Sequence, residues 1–324
     1  MKIVVLKFGG TSVGTIERIK KVANIIAGYF KKGFHPIVVS SAMSGATNDL
    51  IKKSKNISNK FNSQEYDVLL SAGEQISCAL ISGRLNHIGY KSRSWMSWQI
   101  PMLTEGEHKS SRIIKVNKKK IINYLKSGGI PVITGFQGIN NSNRITTLGR
   151  GGSDASAIMC AKFFKAKKCI IFTDVEGVYT TDPNKLNNAR KIKIISYEEM
   201  LEMASLGAKV MQPQSIQDAR LNRIEIDVKS SFSNKEGTEQ MLKKMEAFDL
   251  KEDKDLEQIG DGWENNNWFE VAYASDGNVW PDTYVCHEYT EAVKAVTDIA
   301  TFMREHHRVP TCDEVHDVLN LRLN

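Results

Sequence analysis

One pattern, repeated along the first 232 residues, restricts what this chain can fold into. An apolar run of strand length ends in Gly, Ser or Thr and passes into a stretch with helical periodicity. Residues 2–8 (Lys-Ile-Val-Val-Leu-Lys-Phe) run straight into Gly9-Gly10-Thr11-Ser12, and Ile16, Ile19, Val22, Ile25 and Ile26 then recur at helical spacing. Residues 36–41 form a second strand that ends in small polar residues, and a helical region follows. A long helix is predicted to include residues 71–77 and reach about residue 83. Residues 91–98, 113–116, 130–136, 169–174 and 224–230 read as further strands. Residues 153–165, 196–205 and 209–221 read as helices, with Ser153 as the cap of the first, and residues 137–147 as a polar loop. Such alternation predicts an α/β fold, a mostly parallel central sheet sandwiched by helices. The polar strand ends then collect at the carboxyl edge of the sheet, where open α/β sheets bind ligands.

Residues 146–154, Thr-Thr-Leu-Gly-Arg-Gly-Gly-Ser-Asp, are the most unusual stretch on that edge. Each glycine costs roughly 0.5–1 kcal/mol against Ala inside a helix or strand, so three in four positions are not there to stabilise an element. A glycine turn that opens a helix offers free N–H groups and the positive end of the helix dipole, with Arg150 and Asp154 beside them. Taken alone, the stretch is compatible with an anion site and equally with a structural glycine turn.

With 324 residues, 41% of them hydrophobic and 25% charged, the chain is long enough for one large α/β domain or two and reads as soluble and globular. No apolar run reaches the length of a membrane span, and the first residues look like a strand rather than a signal peptide. Five scattered cysteines without metal-type pairing suggest reduced thiols and a cytoplasmic protein. The net charge of +7 is unevenly spread: residues 1–246 carry 38 Lys and Arg against 20 Asp and Glu, residues 247–324 carry 6 against 17. That shift marks a domain boundary. The lysines of the basic part are scattered over helix faces, as at Lys118-Lys119-Lys120. That favours solvated helix surface, or attraction to a phosphate-bearing substrate, over nucleic acid, and no membrane partner is expected.

Lys7-Phe8-Gly9-Gly10-Thr11-Ser12 sets a cation at a strand end and two glycines at a helix start, which suits a phosphate. The spacing is not that of a P-loop. Thr173-Asp174, followed by Gly177, Tyr179 and Thr181-Asp182-Pro183, offers hydroxyls and carboxylates on a proline-fixed turn at another strand end. In order and wording these motifs, with residues 41–47 and 71–77 and the glycine stretch, resemble the successive motifs of aspartokinases, members of the wider amino-acid kinase fold. The resemblance runs from residue 1 to about 240. It implies a catalytic domain over residues 1–240, followed by a charged linker (241–262) and a small acidic α+β module (263–324).

The resemblance also implies an activity: ATP-dependent phosphorylation of the β-carboxylate of L-aspartate to 4-phospho-L-aspartate, the first step towards lysine, threonine, methionine and diaminopimelate. By motif match, Lys7 contacts the transferring phosphate with Gly9 and Gly10, and Lys209 is a second phosphate ligand. Arg150 forks onto the α-carboxylate, Asp154 and Glu74 meet the ammonium, and Ser41, Thr47 and Ser153 supply hydroxyls. Thr173, Asp174, Tyr179 and Asp182 line the nucleotide site, and Mg2+ arrives with ATP. Gln212-Pro213-Gln214 departs from the family's usual His-Pro-Arg, which bears on nucleotide affinity. A carboxylate kinase for another amino acid and a kinase-fold scaffold are the competing readings.

The last 80 or so residues do not resemble the paired ACT modules usual in the family. A homo-oligomer, such as a dimer, or a regulatory subunit in trans is expected. In this tail, residues 268–273 and 279–286 are expected to form a hairpin. Residues 292–303 and the segment opened by Thr311 are expected to be helices. The tail's histidines and cysteines match no metal-ligand spacing. Trp95 and Trp98 are expected to serve packing.

Overall fold

The structure is a computed structural model that describes residues 1–166, 168–181, 186, 188–206, 211–233 and 237–240, and four short strands nearer the C-terminus. The chain divides into two compact units, Met1–Asp249 and Leu250–Asn324. In the first unit the elements run β1 (Ile3–Phe8), α1 (Ile16–Lys31), β2 (His35–Ser40), α2 (Ala46–Ile57), α3 (Ser63–His87), β3 (Ser92–Trp95), β4 (Met102–Glu105) and β5 (Arg112–Val116). They continue through α4 (Lys119–Lys126), β6 (Ile130–Thr134), β7 (Gln137–Ile139), β8 (Ile145–Thr147), α5 (Gly152–Phe164) and β9 (Cys169–Thr173). The last are β10 (Ile194–Ile195), α6 (Tyr197–Ser205), α7 (Pro213–Leu221), β11 (Ile226–Ser230) and β12 (Thr238–Gln240).

Eight strands form the main sheet in the order β10-β12-β11-β9-β1-β2-β6-β3. All neighbours are parallel except β11 and β12. The central strands are buried on both faces, as in parallel sheets covered by helices. Side chains alternate along β1: Val4, Leu6 and Phe8 join Ile19, Val22, Ile26, Ile81 and Leu85 of α1 and α3. Ile3 and Val5 turn to the opposite face with Ala157, Ile158 and Ala161 of α5. Phe8 stacks on Phe172 of β9 at 4.8 Å between ring centroids. The α/β expectation is met, with helices on both faces.

A second sheet, β5-β4-β7-β8, falls where a loop was expected for residues 137–147. Here Gln137, Gly138 and Ile139 pair antiparallel with Thr147, Thr146 and Ile145. Asn140 Oδ1 accepts from the N–H groups of Ser142 and Arg144, and Asn143 adopts a φ of 57°. The turn asparagines make a hairpin of strands too short and polar for an alternation signal.

The cap of α5 is also different from expectation. Gly151, with a φ of 71°, precedes the helix and no side chain caps it, so Ser153 lies inside the first turn. Ser196 does cap α6, in a reciprocal pair with Glu199. Trp95 is buried as a packing residue, whereas Trp98 is 50% exposed. In the second unit Phe269–Val271 pairs antiparallel with Tyr284–Cys286, and Ala274–Ser275 with Asn278–Val279. That is the pairing expected of the hairpin. The expected tail helices and the whole of the charged linker lie outside the described residues.

Candidate active site

The carboxyl ends of β1, β2 and β6 open into a cleft of about 660 Å³. Lys7, Gly10, Ser41, Thr47, Glu74, Arg150, Ser153 and Asp154 all line it. Residues up to 147 positions apart in the chain thus meet at one place. Lys7 is the fifth residue of β1, on the face of Ile3 and Val5, and therefore points toward α5. There its Nζ lies 2.5 Å from Asp154 Oδ1, each side chain 10% exposed. Desolvating both charges costs several kcal/mol per ion, and the close pairing offsets that cost.

Glu74 is the most constrained group. It is 3% exposed, and its Oε1 accepts the N–H of Ala42 at 3.0 Å. Its Oε2 has no hydrogen-bond partner among the described residues. Burial pushes the Glu74 carboxyl up from 4.5 to about 8, the hydrogen bond from Ala42 opposing the rise. The approach of the 41–45 loop depends on Gly73: a Cβ there would come within 2.7 Å of Ala42 Cβ. A mid-helix glycine lowers helix stability, and here its bare surface brings the Ala42 N–H to the neighbouring carboxylate.

Arg150 is exposed at the cleft mouth on the tight Gly149–Gly152 turn. Gly149 and Gly151 both have left-handed φ, 75° and 71°, which Gly adopts without strain. Behind the turn, a side chain on Gly151 would run into Gln212, so the departing glutamine packs on the glycine stretch. Gln214 instead bonds Asp218 at 3.2 Å on α7.

Thr173, Asp174 and Tyr179 do not line this cleft. They follow β9, whose Phe172 is paired with Phe8 and whose carbonyl accepts the Gly9 N–H at 3.1 Å. Thr173 donates its hydroxyl to the exposed Asp174, and the Tyr179 hydroxyl reaches Glu176. A Cβ on Gly9 would meet the Phe172 carbonyl oxygen at 3.5 Å and Lys7 Nζ at 3.6 Å, both ordinary contacts, so Gly9 lies against the strand ends that carry Lys7 and Thr173. Asp182 and Lys209 lie outside the described residues.

Sequence reading missed Tyr66, Lys109 and Phe136 in the lining. It also missed Asp67 and His108 behind it. Phe136 carried a detectable signal as the last residue of an apolar run; Asp67 and His108, separated by 41 positions, and Tyr66 and Lys109 are joined only by folding.

A surface that combines a buried carboxylate lacking one partner, an exposed guanidinium and a strand-end lysine suits a small zwitterionic acid and a transferable phosphate. Comparison with known proteins agrees in kind. Residues 2–230 match the Amino acid kinase family. An aspartokinase of Geobacillus stearothermophilus is 48% identical over 238 residues, 74% of this chain and 58% of that protein. The crystal structure of aspartate kinase from Synechocystis matches with a TM-score of 0.66 at 43% identity, over 74% of this chain and 40% of that one. E. coli aspartokinase III in complex with aspartate and ADP matches with a TM-score of 0.65 at 27% identity, over 74% and 65% respectively. The chain thus spans about 58–60% of the length of the curated aspartokinases it matches. No described helix is long and apolar enough to cross a membrane. With its parallel sheet, its cleft on the carboxyl edge and a family match across most of its length, the chain belongs to the amino acid kinase family.

Proposed function

We propose that this chain transfers the γ-phosphate of ATP to the β-carboxylate of L-aspartate, giving 4-phospho-L-aspartate and ADP. The observation that carries the reading is the charge order inside one cleft. Glu74 offers a free buried oxygen for the ammonium, Arg150 a fork for the α-carboxylate, and Lys7 a cation where the phosphate would meet the β-carboxylate. Its likeness to aspartokinases, one of them described in complex with aspartate and ADP, supports the same assignment.

A side-chain carboxylate is ionised at neutral pH, so the nucleophile requires no general base. What the reaction requires is alignment and charge stabilisation around the phosphoryl group. Lys7 is held by Asp154 until the phosphate arrives, then shares its protons with the transferring oxygens. The Gly9 and Gly10 amides flank the same phosphates, and Lys209 is a second phosphate ligand. Ser41, Thr47 and Ser153 hold the amino acid by their hydroxyls. The nucleotide lies along Thr173, Asp174, Tyr179 and Asp182. The exposed Asp174 carboxylate, a hard oxygen donor, would help hold the magnesium that arrives with ATP, which would neutralise phosphate charge. The protein acts as a homo-oligomer or with a regulatory subunit, which light scattering of the purified chain tests.

The activity test is ADP release in a coupled assay with aspartate, glutamate and N-acetylglutamate offered separately. Turnover that requires aspartate and magnesium is expected. Preference for another acceptor reassigns the substrate, and no turnover with any acceptor favours a binding scaffold.

A further inference from the structure

Behind the amino-acid end of the cleft lies a buried acid that the chemistry above does not use. Asp67 sits on α3, two turns before Glu74, with no solvent exposure. Its Oδ2 accepts the Nδ1–H of His108 at 2.6 Å and the N–H groups of Lys109 and Thr147, each at 3.1 Å. Its Oδ1 accepts the Thr147 hydroxyl at 2.6 Å. A carboxylate this deep persists only when its oxygens are satisfied, and among the described residues the donors come from two places. One is the loop between β4 and β5; the other is the end of β8, two residues before Gly149. The Ser111 N–H closes the same junction on the Thr147 carbonyl at 3.0 Å. Asp67 therefore ties that loop and the glycine stretch to the helix that carries Glu74.

Lys109 is what this junction presents to the cleft. It holds a left-handed φ of 72°, a conformation uncommon for a residue with a side chain, while Asp67 fixes its N–H. Its carbonyl oxygen lies where a Cβ on Gly149 would come within 3.1 Å, so it packs against the residue preceding Arg150. Its ammonium sits 4.6 Å from the Tyr66 ring centroid, and Lys109, Tyr66 and Arg150 line the same cleft. Lys109 and Arg150 are both exposed cations at its mouth. We propose that Lys109 is a further substrate contact, sharing the α-carboxylate of the amino acid with Arg150, and that Asp67 is the positioning residue that sets it.

The inference rests on the cleft binding an amino acid as described above. With the ammonium at Glu74 and the reacting carboxylate at Lys7, the α-carboxylate faces the mouth. A carboxylate has about four lone-pair sites, of which a guanidinium fork takes two. The rest remain for a lysine whose head is already supported on an aromatic face.

The test is titration calorimetry of L-aspartate into the full chain, with steady-state kinetics, for wild type, Lys109→Met, Lys109→Arg, Asp67→Asn and the Asp67→Asn/Lys109→Met double variant. Lys109→Met is expected to weaken aspartate about tenfold in Kd and KM, the scale of one charge-assisted hydrogen bond, while KM for ATP and kcat stay within about twofold. Lys109→Arg should restore most of that loss. Asp67→Asn should weaken aspartate, and adding Lys109→Met should cost little more, because Asp67 acts through the lysine. Melting curves separate unfolding from a binding effect, and the exposed Lys109 gives a variant expected to fold. A wild type that turns over aspartate beside an unchanged Lys109→Met overturns this inference alone. A folded wild type that does not bind aspartate overturns it together with the proposed function.

Discussion

The two ends of the site are built differently. At the proposed amino-acid end the inner charged groups are buried and tied down, Lys7 to Asp154, Glu74 to the Ala42 N–H and Asp67 to four donors, while Arg150 and Lys109 are exposed at the mouth. At the other end Thr173 and Asp174 lie at the end of β9, and the Thr173 hydroxyl donates to its own neighbour, the exposed Asp174. Under the proposed assignment, the contrast follows the size of the ligands. A small zwitterion offers three charged groups and little surface, so the protein has to fix its own charges beforehand and recover the desolvation cost on binding. A nucleotide brings a base, a sugar and a magnesium-bound phosphate chain, and spreads its binding over many weaker contacts.

If that contrast is right, single changes at the amino-acid end have large effects and those on the open edge have small ones. Lys7→Ala should lower kcat by on the order of 10³-fold, the scale seen when a cation that stabilises a transferring phosphoryl group is removed. Single-turnover kinetics checks it, and a fall under about tenfold would remove Lys7 from the chemistry. Arg150→Lys, which loses the fork but keeps the charge, should raise KM for aspartate by roughly 10–100-fold, the equivalent of one or two charge-assisted hydrogen bonds. Its KM for ATP should hold.

Glu74 gives a sharper test through pH. Its folded carboxyl titrates near 8 against an ordinary 4.5, so the unfolded chain ionises it first as pH rises. Its contribution to stability is therefore fully present only below about 4.5 and declines between there and about 8, by up to about 1.4 kcal/mol per pH unit. An ammonium beside Glu74 favours the ionised form, so aspartate binding near neutral pH should release a proton and tighten up to about pH 8. Calorimetry in buffers of different ionisation enthalpy measures that proton, and Glu74→Gln should abolish it, weaken aspartate by about tenfold and flatten the stability slope. The smallest effect belongs to the open edge. Asp174→Asn should raise KM for ATP by only about two- to fivefold, the scale of a solvent-exposed charge contact, and a larger change would erase the contrast between the two ends.

The same division governs what could be read in advance. The central strands β1, β2, β6 and β9 were legible because each is a dense apolar run, whereas the short β10 and β12 of the same sheet were not. Lys7, Glu74, Arg150 and Asp154 were legible because each stands in a dense local motif. Asp67 and His108 carried no such signal: a lone aspartate on a helix and a lone histidine in a polar loop become a pair only when α3 meets the β4–β5 connection. The β7–β8 hairpin escaped because its three-residue strands have no usable alternation, and turn chemistry at Asn140 and Asn143 decides its shape. The cap of α5 was misread because serine is the better capping side chain on average. There the backbone demands a left-handed residue, and that requirement selects Gly151.

The placement of Lys7 depends on bookkeeping carried by the sheet. Hydrogen bonds pair Lys7 with Val39 of β2 and Ile171 of β9, and those pairings decide which side of the molecule the lysine faces. A shift of β1 by a single position would deliver the ammonium into the Phe8–Phe172 side and leave a phenylalanine beside Asp154. The sheet therefore works as an addressing system accurate to one residue. A deletion or insertion within residues 3–8 would be read as a wrong address, more damaging than many substitutions of the same strand.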